Sequence, residues 1–270
     1  MRPIWFVKLL KKTFPNVIFI AKLTKFPFIG KLIETLMFQD DYLIFLPRDR
    51  VIDINKEVET PTDYVVPSQI VNYFIEKSNY HWIMNFCICR ESMKCKNYPT
   101  NFGCLFLGEA VLQINPLLGR RVNKTEALEY VKKCQELGLV HIIGRNKLDS
   151  QWLNVKPGSK LLTICSCCNC CCLYRIIPYL KTRISNKIKK MPGVKVRVTN
   201  KCVGCGTCTK NVCFVNAIYL VNKRAVISKK CRGCGRCISV CPQKAIELRI
   251  DDKDYIEKSI KSIEKMVDVV

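Results

Sequence analysis

The chain has 270 residues, 49% of them apolar, which suits a globular protein of about two domains and excludes a disordered one. It carries 45 Lys and Arg against 22 Asp and Glu, for a formal net charge of +23, and it holds 19 cysteines. That length excludes a small disulfide scaffold, and the odd count argues against a complete set of intrachain bridges.

Residues 1–42 form a basic, aromatic-rich segment in which lysines alternate with Trp5, Phe6, Phe14, Phe19, Phe26 and Phe28. No secretory leader is convincing, so a cytoplasmic location is expected, where thiols stay reduced and metal binding is their leading use. No uninterrupted apolar run reaches the roughly 18 residues needed to span a bilayer. A packed helical segment is the first expectation, and a basic interfacial helix in peripheral contact with a membrane is the alternative.

Residues 43–175 predict a mixed α/β, cysteine-rich domain. "DYLIFLP" and "RVIDINKEV" predict strands, the second with period-two alternation. "VPSQIVNYFIEKS" predicts a helix capped by Ser68, and "HWIMNFCIC" a buried strand delivering Cys87 and Cys89. In "NKTEALEYVKKCQELG", Asn123 and Glu126 match a capping box and Gly138 supplies the stop. Cys134 inside this helix is expected to be a small buried apolar residue. "LVHIIG" and "SKLLTICSC" predict strands flanking the loop "RNKLDSQWLNVKPG", and a helix before such a hairpin is compatible with a winged helix.

Two cysteine-rich stretches lie in this domain. Cys87, Cys89, Cys95 and Cys104 follow C-x-C-x5-C-x8-C, enough for one [4Fe–4S] cluster or one zinc ion. "CSCCNCCC" then packs Cys165, Cys167, Cys168, Cys170, Cys171 and Cys172 into eight residues. On a strand, Cys165 and Cys167 point to one face and Cys168 to the other, and three consecutive cysteines cannot all meet one metal without a sharp turn. A subset of these ten thiols is expected to hold a further [4Fe–4S] cluster, with zinc as the alternative and the spare cysteines free for ligand exchange or thiol chemistry. Residues 176–193 predict a basic helical linker carrying Lys181, Arg183, Lys187, Lys189 and Lys190. No acidic residue occurs between Asp149 and Glu247. That basic stretch is either a solvated face balancing buried negative clusters or a docking surface, most simply for an acidic redox partner.

Residues 194–250 contain a repeat. "CVGCGTCTKNVCFVNAIYL" and "CRGCGRCISVCPQKAIEL" share Cys-x-Gly-Cys-Gly-x-Cys, a fourth cysteine and Ala-Ile-x-Leu. Two-residue spacings let three thiolates wrap one corner of a cubane, and the glycines permit the tight turns. The second unit, Cys231, Cys234, Cys237, Cys241 and Pro242, follows C-x2-C-x2-C-x3-C-P; the first, Cys202, Cys205, Cys208 and Cys213, has one extra residue, and Phe214 stands in the place of proline. This module resembles the bacterial two-[4Fe–4S] ferredoxin domain. The resemblance implies two [4Fe–4S] clusters with crossed ligation, one on Cys202, Cys205, Cys208 and Cys241, the other on Cys231, Cys234, Cys237 and Cys213. At about −2 for each oxidised cluster with its thiolates, two or three clusters would lower the net charge to roughly +17 to +19. Residues 251–270 predict a helix with Ile256, Ile260, Ile263 and Val267 on one stripe, docking on this module. The whole chain is similar to fused four-iron ferredoxins of anaerobes that carry a cysteine-rich amino-terminal domain.

The overall expectation is an α+β protein: a cysteine-rich α/β domain followed by the pseudo-symmetric ferredoxin-like module. His81 and His141 are the only histidines and read as packed residues, so histidine acid–base chemistry is poorly supplied. No dinucleotide fingerprint or Walker loop occurs. Electron transfer is therefore the favoured function. An iron–sulfur reductase with the upstream cysteines as its catalytic centre comes second, and a redox-sensing nucleic-acid binder third. An open coordination position upstream would favour the reductase, and salt-dependent duplex binding the sensor.

Overall fold

The computed structural model describes residues 1–49 and 67–270, so the expected strand "RVIDINKEV" falls outside the described residues. Three amino-terminal helices, α1 (Ile4–Thr13), α2 (Val17–Leu23) and α3 (Pro27–Ile33), precede strand β1 (Tyr42–Phe45). There follow α4 (Ser68–Lys77), β2 (His81–Met84), α5 (Ile88–Ser92), β3 (Leu105–Leu107), β4 (Gly119–Val122) and α6 (Lys124–Glu136). The next elements are β5 (Val140–Arg145), α7 (Lys147–Leu153), β6 (Leu162–Cys167), α8 (Thr182–Ser185) and β7 (Ile188–Lys190). The remainder comprises β8 (Val194–Val198), β9 (Ile218–Val221), β10 (Arg224–Ile227), α9 (Arg236–Ser239), β11 (Ile246–Ile250) and α10 (Tyr255–Glu264).

Seven strands form one sheet in the order β4-β2-β3-β6-β5-β1-β7, with the β1–β7 pair parallel and the others antiparallel. Strand periodicity assigns the two faces. Ile44, Ile83, Leu105, Leu107, Ile143, Leu162 and Ile164 join one core with Ile70, Phe74, Val131 and Ile263 from α4, α6 and α10. Leu43, Phe45, Val140, Ile142, Cys165 and Cys167 face the other way, toward Ala21 of α2 and the 3-10 turn of residues 173–179. The sheet therefore carries buried cysteines on a face that helices cover.

The carboxy-terminal module has two small sheets, the hairpin β9–β10 and the antiparallel pair β8–β11. It is not a separate bead, because Val194 and Leu248 are buried in the same core as α4 and α10.

Several local expectations change. Residues 176–193 are no linker: β7 adds to the edge of the large sheet, and Ile176, Ile177, Leu180, Ile184 and Ile188 are buried beneath it. Ser68 is the first helical residue rather than the cap, and Asp49 Oδ1 accepts its N–H at 3.2 Å. Strand β2 ends at Met84, and Cys87 instead stands just before the short α5 without a side-chain capping bond. The "loop" between β5 and β6 contains α7, whose amino end Asn146 caps by accepting from Leu148 N–H. Because β5 and β6 are inner strands of a seven-stranded sheet, they form no winged helix among the described residues. Helix α10 packs on α4 and β1, with Glu264 accepting from Tyr73 Oη at 2.8 Å, rather than lying on the carboxy-terminal module alone. Asn123 does cap α6, accepting from Glu126 N–H at 2.9 Å.

Trp5, Phe19, Phe26 and Phe28 remain exposed on the amino-terminal helices. No helix among the described residues is long and apolar enough to cross a membrane.

Candidate metal centres

The eight cysteines of the repeat gather around two cavities. Cys202, Cys205, Cys208 and Cys241 line one, and Cys213, Cys231, Cys234 and Cys237 line the other. The backbone is duplicated with the sequence: Gly204 and Gly233, each two residues after the first cysteine of its run, have φ of +73° and +70°. A Cβ on Gly204 would run into the carbonyl oxygen of Lys223, so both sterics and handedness call for glycine there. Ala217 and Ala245, the alanines of the two Ala-Ile-x-Leu motifs, donate their N–H groups to Cys213 and Cys241 Sγ, each at 3.3 Å. Ala225 and Gly233 do the same for Cys202 and Cys231 at 3.4 Å. Four convergent thiols with backbone donors aimed at sulfur fit an iron–sulfur group, whose charge and potential such bonds tune. Burial pushes the Cys234 thiol up to about 12, a cost that metal ligation of the thiolate removes.

The ten upstream cysteines fall into two groups that meet at Cys168. Cys87, Cys89, Cys104, Cys165, Cys167, Cys168 and Cys172 line an apolar chamber of about 160 Å³ between the sheet and the amino-terminal helices, with Leu10, Phe14 and Val17 on its far wall. The cavities at the repeat cysteines measure only about 10 and 20 Å³. Within the chamber the thiols pair. A hydrogen bond from Cys89 holds Cys87 down to about 7 despite its burial. Cys104, 3.5 Å from Cys165, holds that thiol well below its usual range. Asp149 also lines the chamber; burial raises its carboxyl to about 7, and it accepts from Trp152 Nε1 and Thr163 Oγ1, both at 2.9 Å. The second group is Cys95, Cys168, Cys170 and Cys171, whose four sulfurs lie within 4.8 Å of one another. Cys134 is buried beside this group, in a small core with Leu139.

The arginine of "CICRESMKC" escaped the sequence reading. Arg90 is fully buried, donating to the carbonyl oxygens of Pro99 and Ser166 at 2.9 Å and of Phe102. None of these partners is a carboxylate. Burial opposes its charge, but the surrounding sulfurs of Cys87, Cys168, Cys167 and Cys104 outweigh this and hold it charged. A buried cation between two sulfur groups is what metal-bound thiolates, net negative, would require. A lone arginine flanked by cysteines was the only available signal, and nothing local marks it as buried. His81 and His141 are both buried, His81 Nε2 lying 2.7 Å from the Ile75 carbonyl oxygen; burial lowers His141 to about 4 and keeps it neutral.

Phe214, the residue in the place of proline, has a structural role. It is 3% exposed and meets Phe45 of β1 edge-on, with ring centroids 5.5 Å apart. Around it one apolar cluster joins Cys213, Cys231 and Cys234 of the repeat with Cys165, Cys167 and Cys172 of the chamber. Phe214→Ala is expected to lower stability by about 3 kcal/mol, the cost of emptying a buried aromatic site. Denaturant unfolding checks this, and a loss under 1 kcal/mol would mean the modules are not held together here.

Residues 208–251 match the LdpA Fe-S cluster-binding domain. No curated protein and no solved structure matches the chain. The matched stretch contains Cys208, Cys213, Cys231, Cys234, Cys237 and Cys241. The chain thus contains an iron–sulfur cluster-binding domain and is an iron–sulfur protein.

Proposed function

We propose that this protein is an electron carrier with two ferredoxin-type [4Fe–4S] clusters and a third iron–sulfur centre in the upstream chamber. One cluster sits on Cys202, Cys205, Cys208 and Cys241, the second on Cys213, Cys231, Cys234 and Cys237, and the third on four of the chamber thiols other than Cys168, Cys165 among them. The observation that carries this is the shared apolar cluster around Phe214, which brings the thiols of the second cavity and of the chamber into one apolar region. The clusters supply one-electron chemistry. The chain binds their irons through thiolates, donates N–H groups to sulfur and keeps water away. Anaerobic purification, with iron and sulfide counting and electron paramagnetic resonance, tests it. About twelve irons per chain are expected, four of them lost in Cys165→Ser. Fewer than eight irons, or zinc in their place, would overturn the reading.

A second reading, a reductase, is favoured by one observation: the chamber is far larger than the two repeat cavities and leaves room for a small apolar molecule beside a cluster. In that case a small exogenous ligand such as cyanide should alter the upstream paramagnetic signal and leave the other two alone. No change at any ligand concentration would remove the reductase reading. The winged helix that motivated a nucleic-acid reading is absent from the described residues.

Docking falls to the basic surface near the second cavity. Lys187 is already committed, its Nζ lying 3.2 Å from Glu34 Oε1 and donating to the Phe38 carbonyl oxygen at 2.8 Å. Lys189 and Lys190 are exposed. Reversing both charges, Lys189→Glu with Lys190→Glu, should slow electron delivery to an acidic partner about tenfold at low salt without removing iron. Association rates that ignore both substitution and salt would count against this surface.

A further inference from the structure

We infer that Cys95, Cys168, Cys170 and Cys171 bind a single tetrahedral ion of the zinc class, separate from every iron–sulfur cluster. Four thiolates around one ion at metal–sulfur distances of about 2.3 Å stand about 3.8 Å apart. Four thiolates on a cubane are bound to four different irons at its outer corners and must stand further apart. The four sulfurs here lie within 4.8 Å, and Cys95 and Cys170 Sγ are 3.5 Å apart. Among the described residues this is the one cysteine group so closed, and the two quartets of the repeat are not.

Charge supports the same reading. A divalent ion with four thiolates carries about −2. Arg90 is buried against Cys168, and Arg175 donates to the Cys170 carbonyl oxygen. Arg236 donates to Tyr98 Oη and Asn169 Oδ1, each at 2.8 Å, in the loops that carry the four cysteines. Those bonds also tie the site to the repeat, because Arg236 opens α9 between Cys234 and Cys237. Ligation would pin the loop after α5 to the turn after β6 where the module docks, making the ion a redox-inert clip. Cys168 also lines the chamber, so the inference requires only that a cluster there takes its ligands from the other six thiols.

The test is metal analysis of the anaerobically purified full-length protein. About one zinc per chain is expected in addition to iron matched by sulfide. Cobalt supplied in place of zinc should give the intense thiolate-to-cobalt absorption of a four-sulfur site. Cys170→Ser should abolish that band and leave iron unchanged, whereas Cys205→Ser should lower iron and keep the band. If Cys170→Ser fails to fold, the zinc count and the cobalt spectrum of the unsubstituted protein decide. No zinc-class metal beyond the iron, or iron and sulfide lost together in Cys170→Ser, would overturn the inference.

Discussion

Cys241→Ser is expected to damage the cluster of the other cysteine run. Cys241 belongs by sequence to the second repeat, yet it lines the cavity of Cys202, Cys205 and Cys208, while Cys213 lines that of Cys231, Cys234 and Cys237. Each exchanged sulfur accepts an N–H from the alanine four residues on, which fixes it in place before any metal binds. Replacing Cys241 leaves three thiolates and one weak hydroxyl ligand, so the proposed cubane should lose one iron or disappear, a change of up to about four irons per chain. The decisive comparison is spectroscopic. Cys241→Ser should reproduce the paramagnetic changes of Cys205→Ser, and Cys213→Ser those of Cys234→Ser. If Cys241→Ser instead resembles Cys234→Ser, ligation is not crossed.

The second large effect is expected at Arg90. Its guanidinium satisfies three carbonyl oxygens, and it is the buried cation beside Cys87, Cys167 and Cys168. Arg90→Leu leaves those carbonyls unpaired and the sulfur charge uncompensated. Removing one partner of such a buried set costs about 3–5 kcal/mol. The loss should be read as a lowered denaturant midpoint and as release of the upstream metal, with the eight repeat cysteines still loaded. Arg90→Lys should recover little, because an ammonium cannot reach three carbonyls in the fixed fork of a guanidinium. Unchanged stability and full upstream metal in Arg90→Leu would show that the sulfur groups carry no net charge needing it.

What the sequence by itself determined is what depends on neighbours along the chain. The Cys-x-Gly-Cys-Gly spacing dictates left-handed turns at Gly204 and Gly233, and both adopt them. Asn123 caps its helix, and strand alternation sends Cys165 and Cys167 to one face of the sheet. These are effects of local sterics and periodicity, and no long-range contact is needed to read them.

Only the tertiary structure decided how the upstream thiols are shared out. The pairing of β3 with β6 carries Cys104 to Cys165, and the chain reversal after β6 carries Cys170 to Cys95. Neither meeting has a signal in a run of adjacent cysteines, because side chains that differ only in position carry no information about distant partners. The same holds for Arg90, whose burial depends on carbonyl oxygens up to 76 residues away, and for Phe214, which reads as a departure from a motif until Phe45 is seen against it. Residues 176–193 show the converse: their lysines suggest a solvated linker, but the apolar residues between them close the edge of a sheet that forms only once the rest of the chain has folded.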